Sequence, residues 1–425
     1  MSREVHNAAR AAAPRPLGAC PRLSEPMETG DGLLVRIVPS GRIGIDAFAS
    51  LCVAARTHGN GLMEITGRGS LQIRGLTEIS AQHLATTIEA LDIPFNDRIP
   101  VAVSALPGAT GTRIRPDEIA AELRDMAVWR RLDLAPKVSV VIDDGGPISL
   151  DALAADIHLR ALSGTTSPRL HVSVGGDIET AAPLGIVSAA DAAQLTVDLL
   201  AVLAAGGTQA RARDVVAREG VGRFLKAAGD LLETASDIPA ARTTETIGLH
   251  RLDDHSCAIG VALPFGQAHA LDLIALARIA RANGAEWAVL APQRTLLLGP
   301  IGEMTAFALG TAADTLGFVV DARDPRRRIA ACAGAPLCAS GHIPARELAA
   351  RIAERVPQGK FSLHISGCSK GCAHPRPAPL TILGIEQGAG FIDSDAILHL
   401  PRSEAYSDDL VEEVARKIVA ESEDA

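Results

Sequence analysis

The sequence predicts an α+β fold: two similar split β-α-β half-domains related by a pseudo-two-fold, each followed by a larger α/β unit. Three observations predict it. Pro39, Gly41 and Gly59 recur as Pro264, Gly266 and Gly284, each 225 positions later. Both copies read strand, helix, strand, strand, helix, the order of a split β-α-β unit. The composition also supplies a large aliphatic core: 47% of the 425 residues are hydrophobic and only 3% are aromatic, enough for more than one domain-sized unit.

The elements follow in order. Residues 1–30, rich in Ala, Arg and Pro, read as a tail. The first half-domain spans 31–98. Its helix carries Phe48, Leu51, Cys52 and Ala55 on one face, which places Cys52 in the core. Strands follow at 62–66 and 71–74, then a helix capped by Thr77 with Leu84, Ile88 and Leu91 on its apolar face. The first α/β unit spans 99–245, with strands at 137–142 and 170–174, a helix over 190–206, and charged helices and a connector over 207–245. The second half-domain spans 250–320, with strands at 286–290 and 295–298 and a helix whose apolar face begins with Met304, Phe307 and Leu309. The last unit, 321–425, contains a helix over 345–355 and an acidic helix over 408–423 that covers a surface.

Composition excludes some functions. A net charge of −9 argues against a general nucleic-acid partner. Seven cysteines, an odd number, do not form a disulfide framework. No apolar run reaches the roughly 18 residues of a membrane span, and the N-terminal region has no apolar signal segment. The expectation is a cytoplasmic protein without a membrane partner. No G-x-G-x-x-G opens a helix after a strand, so no dinucleotide site is legible.

Four cysteines carry the chemistry. Cys332 and Cys338 enclose five residues, Cys368 and Cys372 enclose three, and 29 residues separate the pairs. Both pairs sit among Gly, Pro, Ser and Lys, which is turn chemistry. Four thiolates from two turns can close a cage around an iron–sulfur cluster. Zinc is the competing ligand, but its pairs usually leave two to four residues between ligands. Four separate core thiols are the third reading.

These cysteine pairs, the repeated half-domain and T-G-R-G-S-L-Q-I-R-G (66–75) together resemble the sirohaem-dependent nitrite and sulfite reductase superfamily, whose half-domains are ferredoxin-like. Within it, P-M-E-T-G-D-G-L-L-V-R (26–36), V-A-L-P-F-G-Q (261–267) and H-I-S-G-C-S-K-G-C-A-H-P (364–375) resemble the precorrin-3B synthase family. The resemblance implies two nitrite/sulfite-reductase-type domains, the last holding a [4Fe–4S] cluster on Cys332, Cys338, Cys368 and Cys372. It implies oxygen-dependent monooxygenation of precorrin-3A with lactone formation in aerobic cobalamin biosynthesis. Dioxygen is the second substrate, a mononuclear non-haem iron the activating metal, and NADH the electron source through a separate donor. The alternative is a sirohaem-dependent nitrite or sulfite reductase, with Cys372 bridging cluster and haem. A cluster-bearing electron carrier is the non-enzymatic alternative.

Departures from the reductase pattern decide between the first two. Lys370 stands where reductases carry Asn. Lys137 stands alone of two anion-binding lysines, with Ser139 in the second place. Arg68 keeps the place of an anion-binding arginine, and Arg98 matches another only across a gap. A small-anion clamp is thus incomplete, whereas distributed Arg and Lys suit a polycarboxylate. Arg36, Arg68, Arg74, Lys137 and Arg294 are the candidate carboxylate binders, each with simple solvation as the competing reading. Gly67 and Gly69 allow close ligand approach at Arg68. Arg113 and Arg115 lie in a Gly-rich loop. His342, His364 and His374 border the cysteine pairs, as iron ligands or as hydrogen-bonded neighbours of the cluster. No residue is singled out as a catalytic acid or base.

Overall fold

The computed structural model describes residues 21–423 except 92, 94, 96–98, 107–112, 164–166, 234–238, 360, 372, 374–377, 387, 394–395 and 402–406. Cys20, Arg98, Cys372 and His374 therefore lie outside the described residues.

The first half-domain comprises β1 (Met27–Thr29), β2 (Gly32–Ile37), β3 (Ile43–Gly44), α1 (Ile45–His58), β4 (Leu62–Ile65), β5 (Leu71–Leu76) and α2 (Glu78–Glu89). β1 forms a hairpin with β2, so the first sheet already includes part of the segment read as a tail. Thr77 caps α2 and exchanges hydrogen bonds with Ser80, a full capping box. Leu84 and Ile88 are buried, and Leu91 packs on the same core.

Next come β6 (Val101–Val103), α3 (Pro116–Trp129), β7 (Val140–Asp143), β8 (Ala155–Ala161), β9 (Arg169–Gly176), β10 (Ala182–Ser188), α4 (Ala192–Ala205), α5 (Ala212–Glu219) and α6 (Gly222–Ala228). The second half-domain has β11 (Gly248–Arg251), β12 (Cys257–Ala262), β13 (Gln267–His269), α7 (Ala270–Ala282), β14 (Trp287–Ala291), β15 (Thr295–Ile301) and α8 (Glu303–Thr315). The chain ends with β16 (Ile329–Ala331), α9 (Ala345–Ala353), β17 (Leu363–Ser366), β18 (Leu380–Ile385), β19 (Gly388–Asp393), β20 (Ala396–Pro401) and α10 (Asp408–Glu423).

The two half-domains exchange strands. One sheet runs β1-β2-β5-β4-β13 and the other β11-β12-β15-β14-β3, so each ends on a short strand from the opposite copy. Ile45 donates to the carbonyl of Glu286, and Ala270 to that of Gly61, both at 2.8 Å, which is the same contact repeated across the pseudo-two-fold. α1 packs on α7, and residues of both copies share one core, with Leu51 and Cys52 beside Leu273 and Leu298. Pro39–Gly41 and Pro264–Gly266 precede β3 and β13, the strands that cross.

The repeat extends further. β6, β7 and β8 are parallel, and β9 and β10 continue antiparallel. β16 to β20 follow the same pattern. Each of these sheets has its own aliphatic core.

Two expectations are corrected. Met304 and Phe307 are 83% and 78% exposed. Leu309 is buried as expected, and α8 buries beside it Ala306, Gly310 and Ala313, whose small size lets it lie close on β12, with a Cβ at Gly310 only 3.1 Å from Ile259. α10 is no mere cover, because Leu410, Val411, Val414 and Ile418 are fully in the last core.

Candidate active site

The cysteine loops close around glycines. Cys332 leaves β16 and its thiol accepts the Gly367 N–H at 3.0 Å. A Cβ on Gly367 would sit 2.8 Å from Gly334 Cα and 3.5 Å from Cys332 Sγ, so only glycine fits where the two loops meet. Cys338 lies in the turn closed by its N–H to Gly334 and the Gly341 N–H to its own carbonyl, each 2.8 Å. His342 donates its backbone N–H to Gly367 at 2.7 Å. Cys368 follows Gly367 directly, and its carbonyl accepts Ser366 Oγ at 2.6 Å. Lys370 Nζ reaches Ser340 Oγ at 2.9 Å and so ties the second loop to the first. Cys332, Cys338 and Cys368 are free, part-exposed thiols. Among the described residues no three His, Cys, Asp or Glu side chains converge on a single-ion site. The three thiols stand on loops joined by the Gly367 N–H to Cys332 Sγ and by Lys370 to Ser340. His364, on β17, is buried beside Gly371.

The first half-domain docks on this loop. A Cβ on Gly30 would lie 2.5 Å from the Pro336 carbonyl and 2.8 Å from the Ala339 nitrogen. Arg74, buried on β5, holds Asp31 through Nε and Nη2 at 3.2 and 3.0 Å and also donates to the Leu337 carbonyl. Its third partner is Glu64 at 3.6 Å. The sequence marked Arg74 as a substrate ligand; its donors are instead taken by the protein's own carboxylates and by the cysteine loop. Glu64 also takes Arg346, from α9, at 2.7 Å. Burial pushes the Glu64 carboxyl up, but Arg346 and then Arg74 outweigh it and hold it below its ordinary value, with Asp31 opposing. Arg294 lies beside this network, its cation disfavoured by burial and by Arg346 and supported by Glu64.

Arg68 lies at the turn between β4 and β5, four residues past Glu64, at most about 13 Å of extended chain. Gly69 needs its left-handed backbone (φ +78°), and a Cβ there would press on Leu290 and Ala291 at 3.1 Å. The Arg68 guanidinium meets the Ala154 carbonyl and Ser139 Oγ, the latter at 3.4 Å. Ser139, read from the sequence as standing in place of a second lysine, lies beside Arg68. The opposite turn, at Gln293, donates its N–H to Gly67 at 3.0 Å.

A cavity of about 830 Å³ opens beside Arg68 and is also lined by Arg42, Arg113, Arg115 and Asp117. Its size is that of small-molecule sites. Arg42 stacks over Trp287 at 4.6 Å. Arg36, Arg74, Lys137 and Arg294 are not among its lining residues. Arg36 lies half-buried on β2 opposite Gln72, and Lys137 is exposed ahead of β7. Sequence reasoning missed Arg42, although it stands in the repeat punctuation at P-S-G-R.

Residues 25–91 match the nitrite/sulfite reductase ferredoxin-like half domain. The NirA protein of Mycobacterium tuberculosis shares the fold, with a TM-score of 0.71, covering 90% of this chain and 80% of that one at 18% identity. Sulfite reductase [ferredoxin] 2 of Mycolicibacterium paratuberculosis is 25% identical over 174 residues, 38% of this chain and 31% of that protein. The chain therefore has the nitrite/sulfite reductase fold. A precorrin-3B synthase of Sinorhizobium is 38% identical over 401 residues, 92% of this chain and 85% of that protein. The chain belongs to the precorrin-3B synthase family.

Proposed function

We propose that this protein converts precorrin-3A to precorrin-3B, hydroxylating a meso carbon and closing a lactone from a ring acetate. One atom of dioxygen enters the product and the other leaves as water, with two electrons and two protons. The observation that carries the substrate class is the cavity beside Arg68, where Arg42, Arg68, Arg113 and Arg115 face one acidic residue, Asp117, among the described lining. That excess of guanidinium suits a macrocycle edged with carboxylates.

Cys332, Cys338, Cys368 and Cys372 would hold a [4Fe–4S] cluster, and the Gly367 N–H on Cys332 Sγ supports a thiolate there. When bound, the cluster supplies electrons one at a time. The described residues do not fit the mononuclear iron implied by the resemblance, since no three metal-ligating side chains come together. NADH would act through a separate donor. Arg68 would take a carboxylate arm, with Ser139 Oγ 3.4 Å from its guanidinium. His158, on β8, is buried and bonded to the Gly176 carbonyl at 2.8 Å. Among the described residues no helix is long and apolar enough to cross a membrane, and reduced thiols suit the cytoplasm.

The test is dioxygen consumption by the anaerobically purified protein with precorrin-3A and a reductant, with an absorption spectrum recorded first. Substrate-dependent consumption and a spectrum without haem bands support the reading. Intense haem bands with rapid sulfite or nitrite reduction and no precorrin turnover would replace it with the reductase.

A further inference from the structure

A second cavity, of about 560 Å³, lies between Arg22–Glu25, α3 and the loop that ends at Val138. It shares no lining residue with the cavity beside Arg68. Arg124, from α3, lines it and is 9% exposed, yet its Nε and Nη2 make no hydrogen bond. A buried guanidinium edge without an acceptor is costly. Arg36, Arg242 and Arg346 also have an unbonded buried Nε, but only at Arg124 are Nε and Nη2 both unbonded among the described residues. Arg74, Arg211 and Arg326 each grip a carboxylate through Nε and Nη2, of Asp31, Asp156 and Asp324. At Arg124 no carboxylate among the described residues takes that place. The charged lining is Arg22, Arg124 and Arg131 against Glu25 and Asp133. Glu25 faces Arg22 at 3.7 Å, so positive charge is left over. Burial disfavours the Arg124 cation, and Asp125 offsets only part of this.

We propose that this cavity binds a small oxyanion, a carboxylate or a phosphate, held side-on by the Nε and Nη2 of Arg124. Two oxygens about as far apart as those of a carboxylate match the fork. Arg22 and Arg131 would supply further positive charge at the rim.

The cluster-loaded protein is titrated calorimetrically with phosphate, acetate and citrate at constant ionic strength, with chloride as the control. Saturable binding at one site is expected for at least one oxyanion, and the arm that binds identifies phosphate or carboxylate as the source. Arg124→Gln should weaken it at least tenfold, and Arg124→Lys should also bind poorly, because an ammonium lacks the fork. Without added anion, Arg124→Met should melt at the same or a higher temperature, since it removes an unpaired buried cation. Binding no stronger than chloride, or undiminished in Arg124→Gln, overturns the site. So does an Arg124→Met protein that melts lower while the parent shows no oxyanion response, which would make Arg124 structural.

Discussion

The guanidinium of Arg74 donates to the main-chain carbonyl of Leu337, the residue immediately before Cys338. The same side chain holds Asp31, in the β1–β2 turn that packs on the cysteine loop. The first half-domain thereby fixes the position of a candidate cluster ligand in the last domain. Arg74→Met should leave the Asp31 and Glu64 carboxylates with a buried partner missing, at a cost of about 3–5 kcal/mol. The expected result is a lower melting temperature together with reduced iron and sulfide content. A variant with normal melting and a full cluster would show that the contact positions nothing.

Replacing Cys332, Cys338, Cys368 or Cys372 singly with Ser should abolish the broad visible absorbance and most of the bound iron and sulfide. Stability should fall with it, because ligand binding and folding are linked. Two such variants with normal iron and sulfide would end the four-cysteine assignment.

How much of this was legible depends on distance along the chain. The Thr77 cap is local, three residues from Ser80, and could be read directly. Cys52 was placed in the core by helical spacing, and it is fully buried. The strand exchange was not legible, since β3 has two residues and β13 three, too few for any periodic signal. The bracing contacts of Arg74 were not legible because two of its partners are remote: Asp31 is 43 positions away and Leu337 is 263. Nothing near Arg74 in sequence distinguishes a substrate ligand from a brace. At α8 the expected face held at Leu309, but Met304 and Phe307 are exposed because packing chose the small Ala306, Gly310 and Ala313. Ser139 was legible as a departure in pattern, and the fold then set it beside Arg68.

His158 reports on Arg68. Burial lowers its pKa first; the Gly176 carbonyl opposes this, and the Arg68 charge lowers it further, with Asp151 and Asp177 opposing. The unfolded state therefore takes up a proton more readily than the folded state. The stability associated with neutral His158 is present above the unfolded value of 6.5 and is lost as the pH falls below it. Arg68→Gln should raise the His158 pKa and lessen that acid loss, and a carboxylate bound at Arg68 should shift it in the same direction. Ring-proton NMR titration measures both. A His158 resonance unmoved by Arg68→Gln would separate the two residues electrostatically.

Ser139→Lys tests the surroundings of Arg68. Ser139 is 7% exposed, and its Oγ is 3.4 Å from Arg68. Its backbone N–H donates to Asp156 at 3.0 Å, but Asp156 already carries Arg211 on both oxygens. A lysine here would therefore stand beside Arg68 with no free carboxylate to meet it. Two like charges in a half-dry site repel, so the variant should melt lower than the parent. A small dianion placed between the two cations should relieve this, and sulfite should raise the melting temperature of Ser139→Lys more than that of the parent. The lysine would also crowd the space offered to a macrocycle, so precorrin turnover should fall. One preorganised cation is worth roughly 100- to 1000-fold in stabilising developing negative charge, and a change of that order in sulfite or nitrite response would locate the branch point between the two chemistries at this residue. Unchanged precorrin turnover and no added sulfite stabilisation would show that position 139 does not face the bound substrate.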